Sequence, residues 1–174
     1  HMHGDHVGWN TRLENGRWVP TFPNARYVFA EREYALREAA YRADGRAGYG
    51  SFGDSVLPVV ERGQAELVAS DHEIEGLLQL EGAPGHTPGN VVIHLRSGTG
   101  HGIFSGDTIH HPLQIKYPEW SSAFCEDPAQ SAICRRRFVE RHCDTDTLIL
   151  PAHFPAPTAG HIRSAGDRWR FAFL

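Results

Sequence analysis

The chain has 174 residues, 40% hydrophobic and 22% charged, with a formal net charge of −4. It can therefore bury a core, and disorder is excluded; no run approaches the roughly 20 apolar residues of a membrane span. The one basic block, Arg135 to Arg137, is too small for nucleic acid, because phosphate recognition needs clustered positive charge.

After an opening rich in histidine, Val7 to Pro20 reads as a long loop and Ala25 to Ala30 as a strand entered through the turn Pro23-Asn24. Glu31 to Ala43 is rich in helix formers and stops at Asp44-Gly45. Gly45 to Gly53 carries four glycines and reads as a mobile loop, and Asp54 is expected to cap a short helix through Val60, ended by Gly63. Strands are expected at Ala65 to Ala69, Leu77 to Glu81, Val91 to Arg96 and Gly102 to Phe104. Asp127-Pro128 begins a helix reaching His142, with proline at its first position. Thr147 to Leu150 and Trp169 to Leu174 complete the strands. Helices and strands alternate, so the class is α/β or α+β.

Cys125, Cys134 and Cys143 are odd in number and lack a C-x-x-C pair, which argues against a disulfide framework or zinc ribbon and for half-buried thiols on one helical segment. Every basic residue but Lys116 is Arg, a bias of GC-rich, bacterial-type genomes. No basic-then-apolar leader opens the chain, which points to the cytoplasm unless a leader preceded His1.

The chain holds 12 histidines, and they concentrate the chemistry. The opening reads His1-Met2-His3-Gly4-Asp5-His6. On an extended segment His1 and His3 point the same way, and the turn at Gly4 lets Asp5 and His6 address a second nearby point. Neutral imidazole and carboxylate suit zinc, and also iron or manganese. A cloning remnant would account for His1 and Met2 alone. Three later positions repeat one theme, a ligand type just past a strand: His86 in Gly85-His86-Thr87-Pro88-Gly89, Asp107 after Phe104-Ser105-Gly106, and His153 after Leu148 to Ala152. Singly, each has an ordinary structural explanation.

Together, the H-x-H-x-D-H run, His86, Asp107 and His153 resemble the metallo-β-lactamase superfamily of metal-dependent hydrolases. That resemblance implies an αββα sandwich, with residues 1–174 forming one such domain. It implies two divalent ions, most commonly zinc with iron or manganese as alternatives, held by His1, His3 and His86 on one side and by Asp5, His6 and His153 on the other. Asp107 would bridge them, and a hydroxide shared by the ions would cleave an ester, lactone or phosphotriester bond, Asp5 or Asp107 relaying the proton. Aspartate at the bridging position resembles the glyoxalase-II, lactonase and phosphotriesterase-like branches. His3 to Arg12 with Gly106 to His111 looks closest to the methyl-parathion-hydrolase and acyl-homoserine-lactonase groups.

The implied partner is a small, fairly apolar molecule. No nucleic acid or membrane is implied, and a homo-oligomer stays open. Trp9, His110 and Phe154 are candidate substrate contacts, with Trp18, Trp120 and Phe124 as further aromatics near the motifs; core packing is an equal alternative for the aromatics. The loops at the strand ends are expected to supply carbonyls or carboxylates that orient the ligand imidazoles. His72, His94, His101, His142 and His161 match no ligand position and read as structural or exposed. In this family several strands precede the H-x-H-x-D-H run, and none precedes it here. The expectation is a domain lacking its N-terminal part, with a sheet edge or face left uncovered. The alternative function is then a metal-binding fragment with little or no catalysis.

Overall fold

The structure, a computed structural model, describes residues 1–44 and 50–174. Of the expected glycine loop at 45–53, residues 45–49 lie outside the described residues, and Phe52 and Gly53 belong to a helical turn instead. The chain divides into two compact units, His1–Ala69 and Ser70–Leu174. Each mixes helix and strand, as the sequence pattern implies.

The first unit opens with a short helix, α1 (Gly4–Val7), and a 3-10 turn, Gly8–Asn10. The expected loop over 7–20 is instead mostly a hairpin: β1 (Thr11–Glu14) pairs antiparallel with β2 (Arg17–Pro20). Its turn is Asn15-Gly16, both at positive φ (50° and 77°), the two-residue geometry that follows the twist of paired strands. Few of its side chains are buried, so it lacks the apolar alternation that marks a strand. β3 (Tyr27–Ala30) leads straight into α2 (Glu31–Asp44) and pairs in parallel with β4 (Ala65–Val68). Between α2 and β4, Asp54 sits inside a π-helical turn, Phe52–Val56, that runs into α3 (Leu57–Glu61). The segment is helical as expected, but Asp54 does not cap it. Met2, Val7, Tyr27, Phe29, Tyr34, Phe52, Val56 and Val59 form this unit's core.

The second unit is a seven-stranded sheet in the order β11-β10-β9-β8-β7-β6-β5. Its strands are β5 (Glu73–Ile74), β6 (Leu78–Gly82), β7 (Val91–Ser97), β8 (Gly100–Gly106), β9 (Leu148–Pro151), β10 (Gly160–Ala165) and β11 (Arg168–Phe173). β5, β10 and the small helix α4 (Leu113–Lys116) were not evident from sequence. α5 (Pro128–His142) begins as expected, with Asp127 accepting a hydrogen bond from the Gln130 amide at 2.9 Å. Its Phe138 and Val139 pack with Val92, Ile103, Ile149 and Ile162 from one face of the sheet. On the other face Ile93 stands opposite Phe104, which is 44% exposed.

β6 and β7 are antiparallel, as are β7 and β8, while β8 and β9 are parallel. The C-terminal ends of β6, β8 and β9 therefore lie along one edge of the sheet. Among the described residues no helix is long and apolar enough to cross a membrane.

Three of the histidines without an assigned role meet under α5. His94 on β7 lies 3.0 Å from Glu81 through Nε2 and 3.0 Å from His101 Nε2 through Nδ1; His101 Nδ1 lies 3.1 Å from the Thr147 hydroxyl. A carboxylate only accepts, so with neutral rings the bonds run from Thr147 to His101 to His94 to Glu81. Arg141 donates to the other Glu81 oxygen at 2.6 Å. His142 packs edge-on against Phe138 and is 6% exposed. Burial, then the neighbouring His94, Arg141 and His101, push its pKa down to about 4, with Glu81 opposing. Its folded pKa is thus below the unfolded value near 6.5, so the native state resists taking up its proton. In chelator-treated protein, stability is expected to be full above pH 6.5 and to decline toward pH 4, by at most ~1.4 kcal/mol per pH unit from this residue. Urea titrations of wild type and His142→Phe at pH 7 and pH 5 check this; the variant should lose less stability on acidification.

Candidate metal centre

In the first unit the histidine run is fixed by the residue between its first two imidazoles. The Met2 side chain is 2% exposed within the core. Its amide donates to the buried Glu33 carboxylate at 3.3 Å, and its carbonyl accepts from the Ser51 hydroxyl at 3.2 Å. Glu33 is held in turn by Arg37 Nε at 2.9 Å, one helical turn along α2. With Met2 turned inward on an extended backbone, His1 and His3 project together, their ring centroids 4.6 Å apart. His3 is extended (φ −72°, ψ 155°) and its carbonyl then accepts the His6 and Val7 amides, starting α1. That turn brings His6 to 4.1 Å from His1, ring to ring, and places Asp5 Oδ2 3.4 Å from His6 Nε2. Asp5 is exposed.

In the second unit the three ligand candidates stand on the shared edge of β6, β8 and β9. Asp107 follows β8 through Gly106, whose φ of +47° bends the strand end. Its carboxylate is 3% exposed, so it needs close partners. Oδ2 lies 3.1 Å from His86 Nε2 and Oδ1 lies 3.1 Å from His153 Nε2. His86 is 1% exposed. Burial alone would lower its pKa, yet bonding to Asp107 and Cys125 raises it to about 9. Two such nitrogens beside one carboxylate form the donor set that a divalent cation displaces protons to reach. Ligand atoms of His86 and Asp107, and of Asp107 and His153, lie within 4.8 Å of each other, as do those of His1 and His3 and of Asp5 and His6.

His110 joins this group. Its Nε2 is 3.2 Å from Asp107 Oδ2, and its ring stacks on His153 at 5.6 Å with 6° between planes. Both His110 ring nitrogens are buried without a directed hydrogen bond among the described residues. Phe154 is 6% exposed and packs edge-on against Phe171, inside the second unit's core. Trp9 is 79% exposed beside Phe22.

The loops themselves are clamped. Gly85 has φ +132°, and a Cβ there would sit 2.2 Å from the Ser131 amide nitrogen. Only glycine allows this approach to the start of α5. The Glu126 and Asp127 amides donate to the carbonyls of His86 and Gly85 at 3.0 and 2.9 Å. Arg135, wholly buried, donates to the carbonyls of Thr108, Pro118 and Trp120 at 2.7 to 2.9 Å and to the Ser131 hydroxyl at 2.7 Å. It therefore ties the segment after Asp107 to α5. Neither Glu33 nor Arg135 carries a sequence signal, since both look like ordinary charged residues of surface helices.

A family model described as the metallo-beta-lactamase superfamily matches residues 1–153. The chain belongs to the metallo-β-lactamase superfamily. No curated protein matches it by sequence. Among solved structures, this superfamily member is similar to AbOPH, a hydrolase of the β-lactamase superfamily (TM-score 0.83, 21% identity, 100% of this chain and 62% of that one). It is similar to AidC, a dizinc quorum-quenching lactonase captured with a homoserine product (TM-score 0.81, 20% identity, 100% and 62%). A third is a probable metal-dependent hydrolase from Staphylococcus aureus (TM-score 0.77, 19% identity, 100% and 60%). At these identities the likeness is one of fold, and the fold is of the metallo-β-lactamase type. The chain spans about 60% of the length of those three proteins.

Arg135→Met removes the donor from four oxygens at once, three of them in buried bonds. It is expected to cost roughly 3 kcal/mol or more, read as a lowered urea midpoint, with the change in denaturant slope reporting loosening of residues 108–120.

Proposed function

We propose that the chain is a dinuclear metal-dependent hydrolase acting on an ester, lactone or phosphotriester bond. In this reading His1, His3 and His86 hold one ion, Asp5, His6 and His153 hold the other, and Asp107 bridges. The observation that carries it is the Asp107 carboxylate, which turns one oxygen to His86 and the other to His153, the two imidazoles that the family order assigns to different ions. The donor chemistry fits zinc, and also iron or manganese.

Two divalent ions, when bound, supply Lewis acidity and lower the pKa of a water toward neutrality. The chain's own residues do the rest. Asp107, buried, fixes its two imidazole neighbours; the exposed Asp5 is open to solvent and suited to carrying a proton away from the attacking water to the leaving oxygen. His110, held against Asp107 with no directed hydrogen bond to its ring nitrogens among the described residues, donates to the substrate oxygen. Trp9 offers apolar surface, and Phe154 backs the His153 loop from the core. The absence of a basic cluster favours a fairly apolar, uncharged substrate. The named neighbours act in the same chemical range: one is a lactonase, one a hydrolase named AbOPH.

A second reading, metal binding with little turnover, is favoured by the chain's span of about 60% of the length of those hydrolases. Metal analysis together with an ester, lactone and phosphotriester panel separates the two. Two ions per chain with turnover is the expected result; two ions without turnover selects the second reading, and less than one ion by a folded chain defeats both. Asp107→Ala is expected to abolish two-metal binding and turnover while leaving the circular dichroism of the fold in place. Activity that survives this change would show that Asp107 does not bridge.

A further inference from the structure

The imidazole of His86 has an outer partner that neither composition nor motif foretold. Its Nδ1 faces the Sγ of Cys125 at 3.7 Å, on the side of the ring away from Asp107. Cys125 Sγ lies 3.4 Å from the Ser131 hydroxyl oxygen, positioned for its S–H to donate there. Ser131 in turn accepts from Arg135 Nη2 at 2.7 Å. A guanidinium has no acceptor atom, so Ser131 Oγ accepts from Arg135, and it is placed to accept the S–H of Cys125 with its second lone pair. In that arrangement the sulfur lone pairs face His86 and accept from Nδ1.

We infer that Cys125 is a positioning residue. Through the relay Arg135–Ser131–Cys125, it keeps a proton on Nδ1 of His86, so that Nε2, on the Asp107 side, is the nitrogen that would give up its proton to a metal ion. This rests on the metal-centre reading above. The backbone agrees with it. The 125–127 segment donates two amides to the carbonyls of Gly85 and His86, and Gly85 is packed on Ser131 too closely for any side chain. Cys125 and its neighbours thus grip both the ring and the backbone of one ligand. The expected oxygen partner from a strand-end loop is replaced by a thiol in the segment just ahead of α5. Such outer partners set ring orientation and basicity, and losing one typically costs about 10–100-fold in metal affinity.

The test is zinc affinity measured by chelator competition on the full chain, with turnover left aside. Wild type should bind two ions. Cys125→Ala should weaken one of them by about 10–100-fold, whereas Cys125→Ser, which keeps an acceptor facing Nδ1, should stay within about 3-fold of wild type. Thermal midpoints of the zinc-free proteins should agree, so that the affinity change is not a folding defect. A long-range proton–nitrogen spectrum of the zinc-loaded chain supplies a second readout: the His86 proton should reside on Nδ1 in wild type and Cys125→Ser. Two tightly bound ions in Cys125→Ala with unchanged affinity, or a His86 proton on Nε2, would overturn the positioning role alone. A wild type that binds fewer than two ions would overturn the metal-centre reading beneath it.

Discussion

A carboxylate taken almost wholly out of water is the constraint around which the second unit is organised. Asp107 cannot be left there without close partners, because a desolvated charge costs several kcal/mol. Three imidazoles crowd it, those of His86, His110 and His153. They come from three different loops, and the loops reach one place because β6, β8 and β9 all run toward the same edge. The bend at Gly106 then lifts the carboxylate off the end of β8.

Each unit fixes the loop that carries its candidate ligands with a buried residue of a kind usually found at the surface or in ordinary core. In the first, Met2 fills the core and Glu33 holds its amide, so the flanking imidazoles are positioned by the residue between them. In the second, Arg135 spends its donors on three carbonyls and a hydroxyl. Packing rather than loop stiffness supplies the precision. Side chains held this way have little rotational freedom left to lose, which is the usual advantage of a preorganised site.

Legibility varied with the kind of signal. The α5 start was readable because Asp127-Pro128 is a local device, a capping carboxylate before a residue with fixed φ. The hairpin over 11–20 was not, although Asn15-Gly16 is a strong turn pair, because its strands carry polar and exposed residues and show no apolar alternation. Asp54 looked like a cap and became an interior residue of a π-helical turn. His94, His101 and His142 match no position of the H-x-H-x-D-H, His86, Asp107, His153 pattern. Yet their meeting with Glu81 and Thr147 under α5 depends on strand register, which no single segment encodes.

By itself the sequence determined the mixed helix and strand class, the histidine and aspartate motif and its order along the chain, and through that motif the family. Those are properties of local spacing: H-x-H-x-D-H is complete within six residues, and each later His or Asp of the pattern follows its own strand and turn. Only the tertiary structure decided which groups surround Asp107, that His110 joins them, and that a thiol and a buried guanidinium stand behind His86. Such partners are brought together by sheet order and helix packing across tens of residues. A side chain's chemistry is written in its identity, but its neighbours are chosen by the fold.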